Sequence, residues 1–369
     1  MTCGREIAMK YKRFFTMILV AAAGFMASCD TVFTDVYDEV SRPRLYVFGG
    51  FTHMNGIMRS GFAELDLESG KLAGAESVFT VGSAQPVLYR DTLYYEAGGT
   101  LYASDFDTGA IRWTVIASST IYTIVVNEDT VFIGGAFFTV DGQPREYFAQ
   151  VRRDTGAVLP QLVGGLDNSV NALALSGDTL FLGGYFLTID GQTRNRLAAV
   201  DIRSGDLKSW NPGADGYVGM LYVVGTTVYF TGGFGTIAGN ARNSIAAVDA
   251  QSGALLPFNA NITGGSATLC AFSNDTIYIT GPGTIGGKVR SSLAAVDRTT
   301  GALRRWAPTP QSIPTSIVYN SGKVYMGGTF TTMNGVTRNY LAAVDGDLGE
   351  LLGWYPIADS QVNYVILDR

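Results

Sequence analysis

The chain has 369 residues, of which 47% are hydrophobic and 16% are charged, and its formal net charge is −6 at pH 7. This acidic balance argues against nucleic acid as a partner, because nucleic-acid binding needs a basic surface. The single histidine, His53, excludes a zinc or copper site built from several histidines.

The first elements in chain order are those of a leader. Residues 9–29 have a basic start, an apolar stretch from Phe14 to Met26 and small residues before Cys29, which is the layout of a secretory signal. The apolar stretch is shorter than the roughly 20 residues that a membrane span needs. Met26-Ala-Ser-Cys29 resembles the lipobox of bacterial lipoproteins, with an ordinary cleaved signal as the alternative.

The lipobox resemblance implies a lipid-anchored protein of the bacterial cell envelope, on the periplasmic side or at the cell surface. It implies a signal peptide over residues 1–28, of which residues 1–8 form an upstream start that need not be translated. Cys29 is then acylated, and residues 29–44 form a polar tether. The anchor alone contacts the membrane, and loss of four basic residues and one acidic residue leaves a net charge of −9.

Seven copies of one pattern follow the leader. They align on a recurring turn glycine, and the spacing settles at 48 or 49 residues. A period of about 40–50 residues with several short strands is typical of propeller blades, and frequent Gly, Asn, Asp and Ser favour an all-β chain. We predict a single domain over residues 45–369. The seven glycines are Gly70, Gly109, Gly156, Gly205, Gly253, Gly301 and Gly349.

Four antiparallel strands are predicted in each unit, and in the fourth unit they cover residues 172–176, 179–183, 196–201 and 207–210. The second strand is apolar without alternation, which indicates that both of its faces are covered. The third strand reads Leu-Ala-Ala-Val or Ile-Ala-Ala-Val in four units, and such small side chains allow neighbouring sheets to approach closely.

The two ends of the repeat region predict closure. The first unit begins at its second strand, residues 44–48, whereas the chain ends with Val362–Leu367, which matches a first strand. We predict a seven-bladed β-propeller of four-stranded antiparallel blades, closed by the C-terminal strand that completes the first blade. The second blade, residues 87–117, is expected to be the most degenerate copy, shorter between Gly98-Gly99 and Gly109.

Several polar and aromatic residues recur once per unit. A residue that occurs in every blade usually has a structural role that every blade needs. We predict that the recurring arginines and aspartates hydrogen-bond turns or neighbouring blades, with a ring of charge for a ligand as the alternative. The recurring tryptophans are expected to pack against the next blade, with a sugar-binding platform as the alternative. These residues are Arg59, Arg145, Arg194, Arg242, Arg290 and Arg338; Asp66, Asp201, Asp249, Asp297 and Asp345; and Trp113, Trp210, Trp306 and Trp354.

Two single residues are interpreted as structural. Cys270 lies in an apolar first strand and is expected to be a small core residue, and it leaves no disulfide within the mature chain. His53 lies in the turn of the first unit and is expected to be a loop residue with no catalytic role.

The unit Leu197-Ala-Ala-Val-Asp-Ile-Arg-Ser-Gly-Asp-Leu-Lys-Ser-Trp210 resembles the repeat of quinoprotein-like propellers. The longer pattern, Gly-Gly-x-Phe-Thr, then Asn/Asp-Gly, Arg and Leu-Ala-Ala-Val-Asp, resembles the delta-60 repeat of bacterial extracytoplasmic propellers. Together they imply a quinoprotein-like bacterial β-propeller lipoprotein. The closest functional analogy is a lipoprotein propeller of related repeat type, which serves in outer-membrane protein assembly. The acidic calcium ligands and adjacent cysteines that hold the cofactor of quinoprotein dehydrogenases are not recognisable, so no cofactor and no metal are expected.

The function predicted from these features is a non-enzymatic, monomeric binding or assembly platform for an envelope protein or glycan. Recognition is expected on loops held by a rigid scaffold. The candidate residues depart from the repeat: Tyr147, Phe148, Asp167, Asn168, Asp215 and Tyr217. The alternative is a polysaccharide-active glycosidase or lyase with paired carboxylates, drawn from Glu96, Glu128, Glu146, Asp167 and Asp215.

Overall fold

The computed structural model describes residues 43–74, 79–281, 283–290 and 292–367. The predicted signal peptide, Cys29 and the tether up to residue 42 lie outside the described residues. Within the described ranges, β-strands are the only regular secondary structure. No helix there is both long and apolar enough to cross a bilayer.

Each of the seven repeats has one main antiparallel sheet of three or four strands in the described part of the chain. We number them in chain order. Their strands are Val362–Leu367, Arg44–Gly49, Phe62–Asp66 and Leu72–Ala73 (sheet 1); Val87–Tyr89, Thr92–Ala97, Thr100–Asp105 and Ile111–Ile116 (sheet 2); Ile121–Val126, Thr130–Gly135 and Phe148–Arg152 (sheet 3); Val170–Ser176, Thr179–Gly184 and Leu197–Asp201 (sheet 4); Val218–Val224, Thr227–Gly232 and Ile245–Asp249 (sheet 5); Cys270–Phe272, Thr276–Thr280 and Leu293–Asp297 (sheet 6); Ser316–Asn320, Lys323–Gly327 and Leu341–Asp345 (sheet 7).

A short hairpin separates the second strand of the repeat from the third in every sheet except sheet 2. The hairpin of sheet 6 has an additional strand, Ile262–Thr263, that pairs with Gly283–Ile285. The hairpins are His53–Met54 with Ile57–Met58, Thr139–Val140 with Gln143–Pro144, Thr188–Ile189 with Gln192–Thr193, Thr236–Ile237 with Asn240–Ala241, Gly283–Ile285 with Lys288–Arg290, and Thr332–Met333 with Val336–Thr337.

The prediction of four strands in every unit is wrong for sheets 3 to 7. In sheet 4, the expected fourth strand pairs only through the bridge between Val200 and Leu207 and the bond from the Lys208 amide to the Ala199 carbonyl. The chain then leaves the sheet, because the Trp210 indole reaches into the next sheet and donates to the Asp249 carbonyl, 3.0 Å away. Pro212 follows and has no amide hydrogen with which to continue a ladder.

Sheet 2 is shortened where the sequence predicts, but it also has a full fourth strand. It is short between its second and third strands, as predicted, because a turn at Gly98 and Gly99 replaces the hairpin. It nevertheless has a fourth strand of six residues, Ile111–Ile116. Trp113 and Val115 are buried on one face of that strand while the alternate residues are exposed, so the strand stays paired where its equivalents leave the sheet.

Both faces of the inner strands are buried, as their lack of alternation predicts. In strand Arg44–Gly49, Leu45 and Val47 pack into a cluster shared with sheet 7, whereas Tyr46 and Phe48 pack into a cluster shared with sheet 2. The described residues form seven such hydrophobic clusters. Each cluster joins two consecutive sheets or, in one case, sheet 7 to sheet 1.

The C-terminal strand pairs where the sequence predicts. Val362–Leu367 runs antiparallel to Arg44–Gly49, with Tyr46 opposite Ile366 and Val47 opposite Val365. On the side of sheet 2, the Tyr364 hydroxyl donates to the carbonyls of Gly82 and Ser83, at 3.1 and 2.8 Å. The last strand therefore completes sheet 1.

A chain that ends at Gln361 is expected to lose more than about 4 kcal/mol of folding free energy, because it exposes the partners of Val362, Val365 and Ile366. Arg44–Gly49 would also become an unpaired edge that promotes aggregation. Urea denaturation and light scattering measure both effects, and a peptide of residues 360–369 added in trans should restore solubility. Unchanged cooperative unfolding of the shortened chain would show that this pairing contributes little.

The recurring aspartate and tryptophan meet in one turn. Asp66 Oδ1 accepts hydrogen bonds from the Ser69 amide and hydroxyl, both at 2.7 Å, and each tryptophan indole donates to the carbonyl of this turn in the next unit. The turn glycine has positive φ, and at Gly156 an added Cβ would lie 2.7 Å from the Trp113 ring. The predicted packing of the tryptophans against the next blade is thus confirmed, and in unit three the Arg152 carbonyl still accepts the Gly156 amide.

The recurring arginine links each hairpin to the segment that follows its sheet. In sheets 3, 4, 5 and 7, its Nη2 donates to the backbone carbonyl fourteen residues later, as from Arg145 to Leu159 at 2.7 Å. Its Nη1 donates to the carbonyl of the preceding residue in all six hairpins. These contacts place the arginine in the scaffold.

Cys270 belongs to the core between sheets 5 and 6 and is 6% exposed, which confirms its interpretation as a core residue. Burial raises the pKa of its thiol. The thiolate that would react is therefore disfavoured.

The turn of sheet 2 gives a pH dependence. The Arg112 guanidinium, 2.7 Å from Asp105 Oδ2, together with Thr108, lowers the pKa of Asp105 from 3.8 to about 2. A carboxyl whose pKa is lower in the folded state stabilises the fold above its unfolded pKa, and this stabilisation is lost as pH falls from about 4 to about 2.

Arg112→Ala should therefore lower stability by about 1 kcal/mol at pH 7, a value reduced by solvent screening of the partly exposed pair. The difference from the unsubstituted chain should shrink between pH 4 and pH 2 in urea titrations followed by tryptophan fluorescence. A difference that stays constant across that range would contradict the assignment to Asp105.

Candidate binding face

The hairpins and the loops that precede each sheet lie at the same end of the sheets. Backbone bridges join the two, for example between Ala117 and Val140 and between Ala214 and Ile237. We call this end the hairpin face. The Asp turns follow the third strands and lie at the opposite end, because consecutive strands are antiparallel.

One predicted binding residue is wrong. Phe148 is fully buried between sheets 3 and 4. It begins the third strand, where sheet 4 has Leu197, so its side chain belongs to the core. Its neighbour Tyr147 is half-buried and meets the exposed ring of Phe138 at 5.3 Å between centroids.

Asp167 and Asp215 were expected to depart from the repeat, but both occupy a recurring position. Asp215 Oδ1 accepts hydrogen bonds from the amides of Gly235 and Thr236 in the hairpin of sheet 5, at 2.8 and 2.9 Å. Asp167 accepts hydrogen bonds from the corresponding amides in the hairpin of sheet 4. Ser118 and Asp359 do the same in sheets 3 and 1. A constant separation of 21 residues from Ser118, Asp167 and Asp215 to the hairpin threonine is the sequence signal that identifies this position.

These residues cap the hairpins, and Asn168 makes only a local bond, to the Ser169 amide at 2.8 Å. Burial alone would raise the pKa of Asp215, but hydrogen bonds from Thr236 and Gly235 outweigh it and lower the pKa. Asp215 is therefore held as a carboxylate acceptor, which is the opposite of what a general acid needs.

Tyr217 lies on the hairpin face and stacks on a residue that sequence reasoning missed. Its ring is 5.0 Å from that of Tyr185, with an interplanar angle of 14°, and the two side chains are 38% and 44% exposed. Tyr217 lies over the backbone of Gly233, where an added Cβ would come within 2.4 Å of the ring. Gly233 thus leaves room for the stacked pair.

Phe138 and Leu187 are also exposed on this face, at 55% and 43%. We define the aromatic patch as Phe138, Tyr147, Tyr185, Leu187 and Tyr217. The sequence contains a signal for this patch. The positions on either side of the buried Phe that follows the glycine pair hold small or polar residues in other units, whereas the patch has large side chains there. The small or polar residues are Gly50 and Thr52, Gly233 and Gly235, and Thr329 and Thr331.

The other candidate carboxylates have separate surroundings. Glu96 is 2% exposed and accepts the amides of Ser83 and Gly99, so it holds the loop before sheet 2 against the turn of that sheet. Glu128 pairs with Arg90, and Glu146 is exposed.

His53 has an acidic neighbour near the end of the chain. Its Nδ1 is 3.2 Å from Asp359 Oδ2, to which the Thr52 hydroxyl donates at 2.6 Å. Burial would raise the pKa of Asp359, but hydrogen bonds from Thr52 and His53 outweigh it and lower the pKa. These bonds connect the hairpin of sheet 1 to the segment before the last strand. No group of three or more His, Cys, Asp or Glu that could hold a metal ion occurs among the described residues.

A family model described as "Outer membrane protein assembly factor BamB" matches residues 58–255. The chain belongs to this family. It is accordingly a quinoprotein-like β-propeller, as the sequence pattern implied, whereas the narrower resemblance to the delta-60 repeat stays a prediction. No curated protein matches the chain.

Solved structures that match the chain include two designed proteins and one bacterial protein. The computationally designed Ika8 protein matches with a TM-score of 0.53 and 17% identity, over 78% of this chain and 92% of that one, which is a likeness of fold alone. The designed Ika4 protein matches with a TM-score of 0.35 and 18% identity, over 48% of this chain and 99% of that one. BamB from Moraxella catarrhalis matches with a TM-score of 0.43 and 14% identity, over 73% of this chain and 77% of that one.

The capping role of Asp215 can be separated from binding. Asp215→Ala should cost about 1 kcal/mol, because two hairpin amides lose their acceptor, whereas Asp215→Ser should keep most of the stability, since Ser118 fills this position in sheet 3. Thermal denaturation of the two variants provides the measurement. Equal stability of Asp215→Ala and the unsubstituted chain would mean that water replaces the cap.

Proposed function

We propose that this chain is a lipid-anchored envelope protein whose closed, seven-bladed propeller binds a protein partner through the aromatic patch. Membership in a family described as an outer membrane protein assembly factor supports a role in binding or assembling envelope proteins. The aromatic patch is the single observation that carries the choice of surface. The lipid anchor rests on Met26-Ala-Ser-Cys29.

Closure of the ring is supported by how the sheets follow one another. Seven clusters connect the seven sheets of the described residues, and one of them contains Val47, Val365 and Tyr325, which come from sheets 1 and 7. The Trp354 indole and the Tyr325 hydroxyl both donate to backbone carbonyls of sheet 1 and its turn. A closed ring would leave each sheet with two neighbours and no free face.

A protein partner is favoured by the composition of the patch. Tyrosine and phenylalanine contribute large contact areas at interfaces and often dominate binding energy. The patch residues lie on hairpins and loops whose backbone amides are already capped, by Ser118, Asp167 and Asp215. A partner would therefore meet a surface that needs little ordering when it binds.

Binding, not turnover, is the proposed activity. Glu96 is occupied by two backbone amides, Glu128 by Arg90, and Asp167 and Asp215 by hairpin amides. Paired-carboxylate hydrolysis needs one of its acids to be protonated by virtue of a raised pKa. The lowered pKa of Asp215 supports the binding proposal.

The proposal is tested by site-specific photocrosslinking in the native envelope. A photoreactive side chain at Leu187 should give a discrete protein adduct, whereas the same group at Leu348 should not. Leu348 is 63% exposed and lies in the Asp turn of sheet 7, at the end opposite the hairpin face. Adducts of equal yield at both positions, or an adduct with glycan only, would overturn the proposal of a protein partner at this face.

Matched substitutions then test the patch itself. Tyr185→Thr, Leu187→Thr and Tyr217→Ser introduce residues that other units carry at the same positions, namely Thr329, Thr331 and Ser169. The triple variant should keep its melting temperature but bind the crosslinked partner at least about tenfold more weakly, as expected for loss of interface aromatics. Unaltered affinity would exclude the patch as the binding surface.

A further inference from the structure

The sixth unit has a concentration of positive charge that the other units lack. Lys288 lies two residues before the recurring arginine of the hairpin, and Arg305 lies fifteen residues after it. The equivalents of both are neutral wherever the hairpin occurs. Those of Lys288 are Ile57, Gln143, Gln192, Asn240 and Val336, and those of Arg305 in sheets 3, 4, 5 and 7 are Pro160, Ser209, Pro257 and Gly353.

The extra cations line one cavity. A depression of about 410 Å³ at the edge of sheet 6 is lined by Gly286, Lys288, Arg290, Leu303, Arg304 and Arg305. No carboxylate is among these residues. Its volume lies within the range of small-ligand sites, which are roughly 300–1,000 Å³.

The hairpin turn shapes this cavity. Gly286 has a φ of +55° and approaches Leu303 closely, since a Cβ at this glycine would be 3.6 Å from the Leu303 Cβ. The approach brings the strand Lys288–Arg290 beside residues 303–305. Arg290 is held in place because its Nη1 donates to the Val289 carbonyl, 3.1 Å away.

Part of the charge is already neutralised. Arg304 Nη2 lies 3.0 Å from both Asp275 Oδ2 and Asp297 Oδ2. In the described part of the chain, however, no ion pair joins Lys288, Arg290 or Arg305 to a carboxylate. Four cations and two carboxylates therefore leave a local excess of about two positive charges, which attracts small anions even on an acidic protein.

We propose that this cavity binds a phosphate monoester. Arginine guanidinium groups and a lysine ammonium form the strong, charge-assisted hydrogen bonds that a phosphate dianion accepts. A depression of about 410 Å³ accommodates a small anionic group more readily than an extended acidic protein surface. The phosphate can come from a soluble sugar phosphate or from a lipid headgroup, and the site is independent of the aromatic patch.

The test uses the full chain in phosphatidylcholine nanodiscs, with inorganic phosphate as the probe in titration calorimetry. Lys288→Gln with Arg305→Ser gives sheet 6 the residues that sheet 4 carries, Gln192 and Ser209. Lys71→Gln with Arg152→Ser removes the same charge from exposed positions elsewhere and is the matched control. Phosphate should bind the unsubstituted chain and the control with similar affinity. It should bind the variant with Lys288→Gln and Arg305→Ser at least about tenfold more weakly.

The proposal is overturned if the unsubstituted chain shows no saturable binding, or if both double variants bind phosphate with the same affinity, which would indicate non-specific attraction. Melting temperatures of the two variants check that the fold is kept. Repeating the titration in nanodiscs that contain phosphatidic acid distinguishes the sources. Lost phosphate binding there would identify a lipid headgroup as occupant, and unchanged binding with competition by glucose 1-phosphate would identify a soluble phosphate ester.

Discussion

The structure depends on the burial of both faces of each inner strand. An isolated sheet of this sequence would expose two apolar faces, because consecutive residues such as Tyr46 and Val47 pack into clusters on opposite sides. The same alternation holds in sheet 4, where Leu197 and Ala199 face sheet 5 while Ala198 and Val200 face sheet 3. Every sheet must therefore have a neighbour on each side, and the closed ring that we propose would satisfy this requirement without a special end cap.

Close stacking accounts for the recurring small and polar residues. Alanines in the third strand and glycines at the end of the second leave little space between sheets, and a Cβ at Gly183 would come within 2.6 Å of Val218. Tryptophan packs between neighbouring sheets, and its indole hydrogen bond to the next unit's turn ties the sheets together where backbone pairing is absent. The Asp turn and the hairpin arginine satisfy backbone groups that would otherwise lack partners.

The repeat made the sheets predictable, because burial on two faces leaves a strong pattern in the sequence. Fourth strands were less predictable: Leu207 looks like the start of a strand, but the preference of Trp210 for the space between sheets takes the chain away after two residues. Asp167 and Asp215 were misread because the loops before the sheets vary in sequence, which hid their common relation to the hairpin amides. Phe148 was misread because a core position occupied elsewhere by Leu197 or Ile245 holds an aromatic ring in one unit.

Capping within each unit explains where the chain can vary. Because Ser118, Asp167 and Asp215 satisfy the hairpin amides from the loop that precedes the same sheet, the exposed residues beside them can change without cost to the packing of the sheets. Large side chains then collect on sheets 3 to 5, and basic ones on sheet 6. Energetic coupling between two such surfaces needs an element with two alternative arrangements. Tightly packed, repeated sheets provide none between them, so each surface can acquire its own ligand independently.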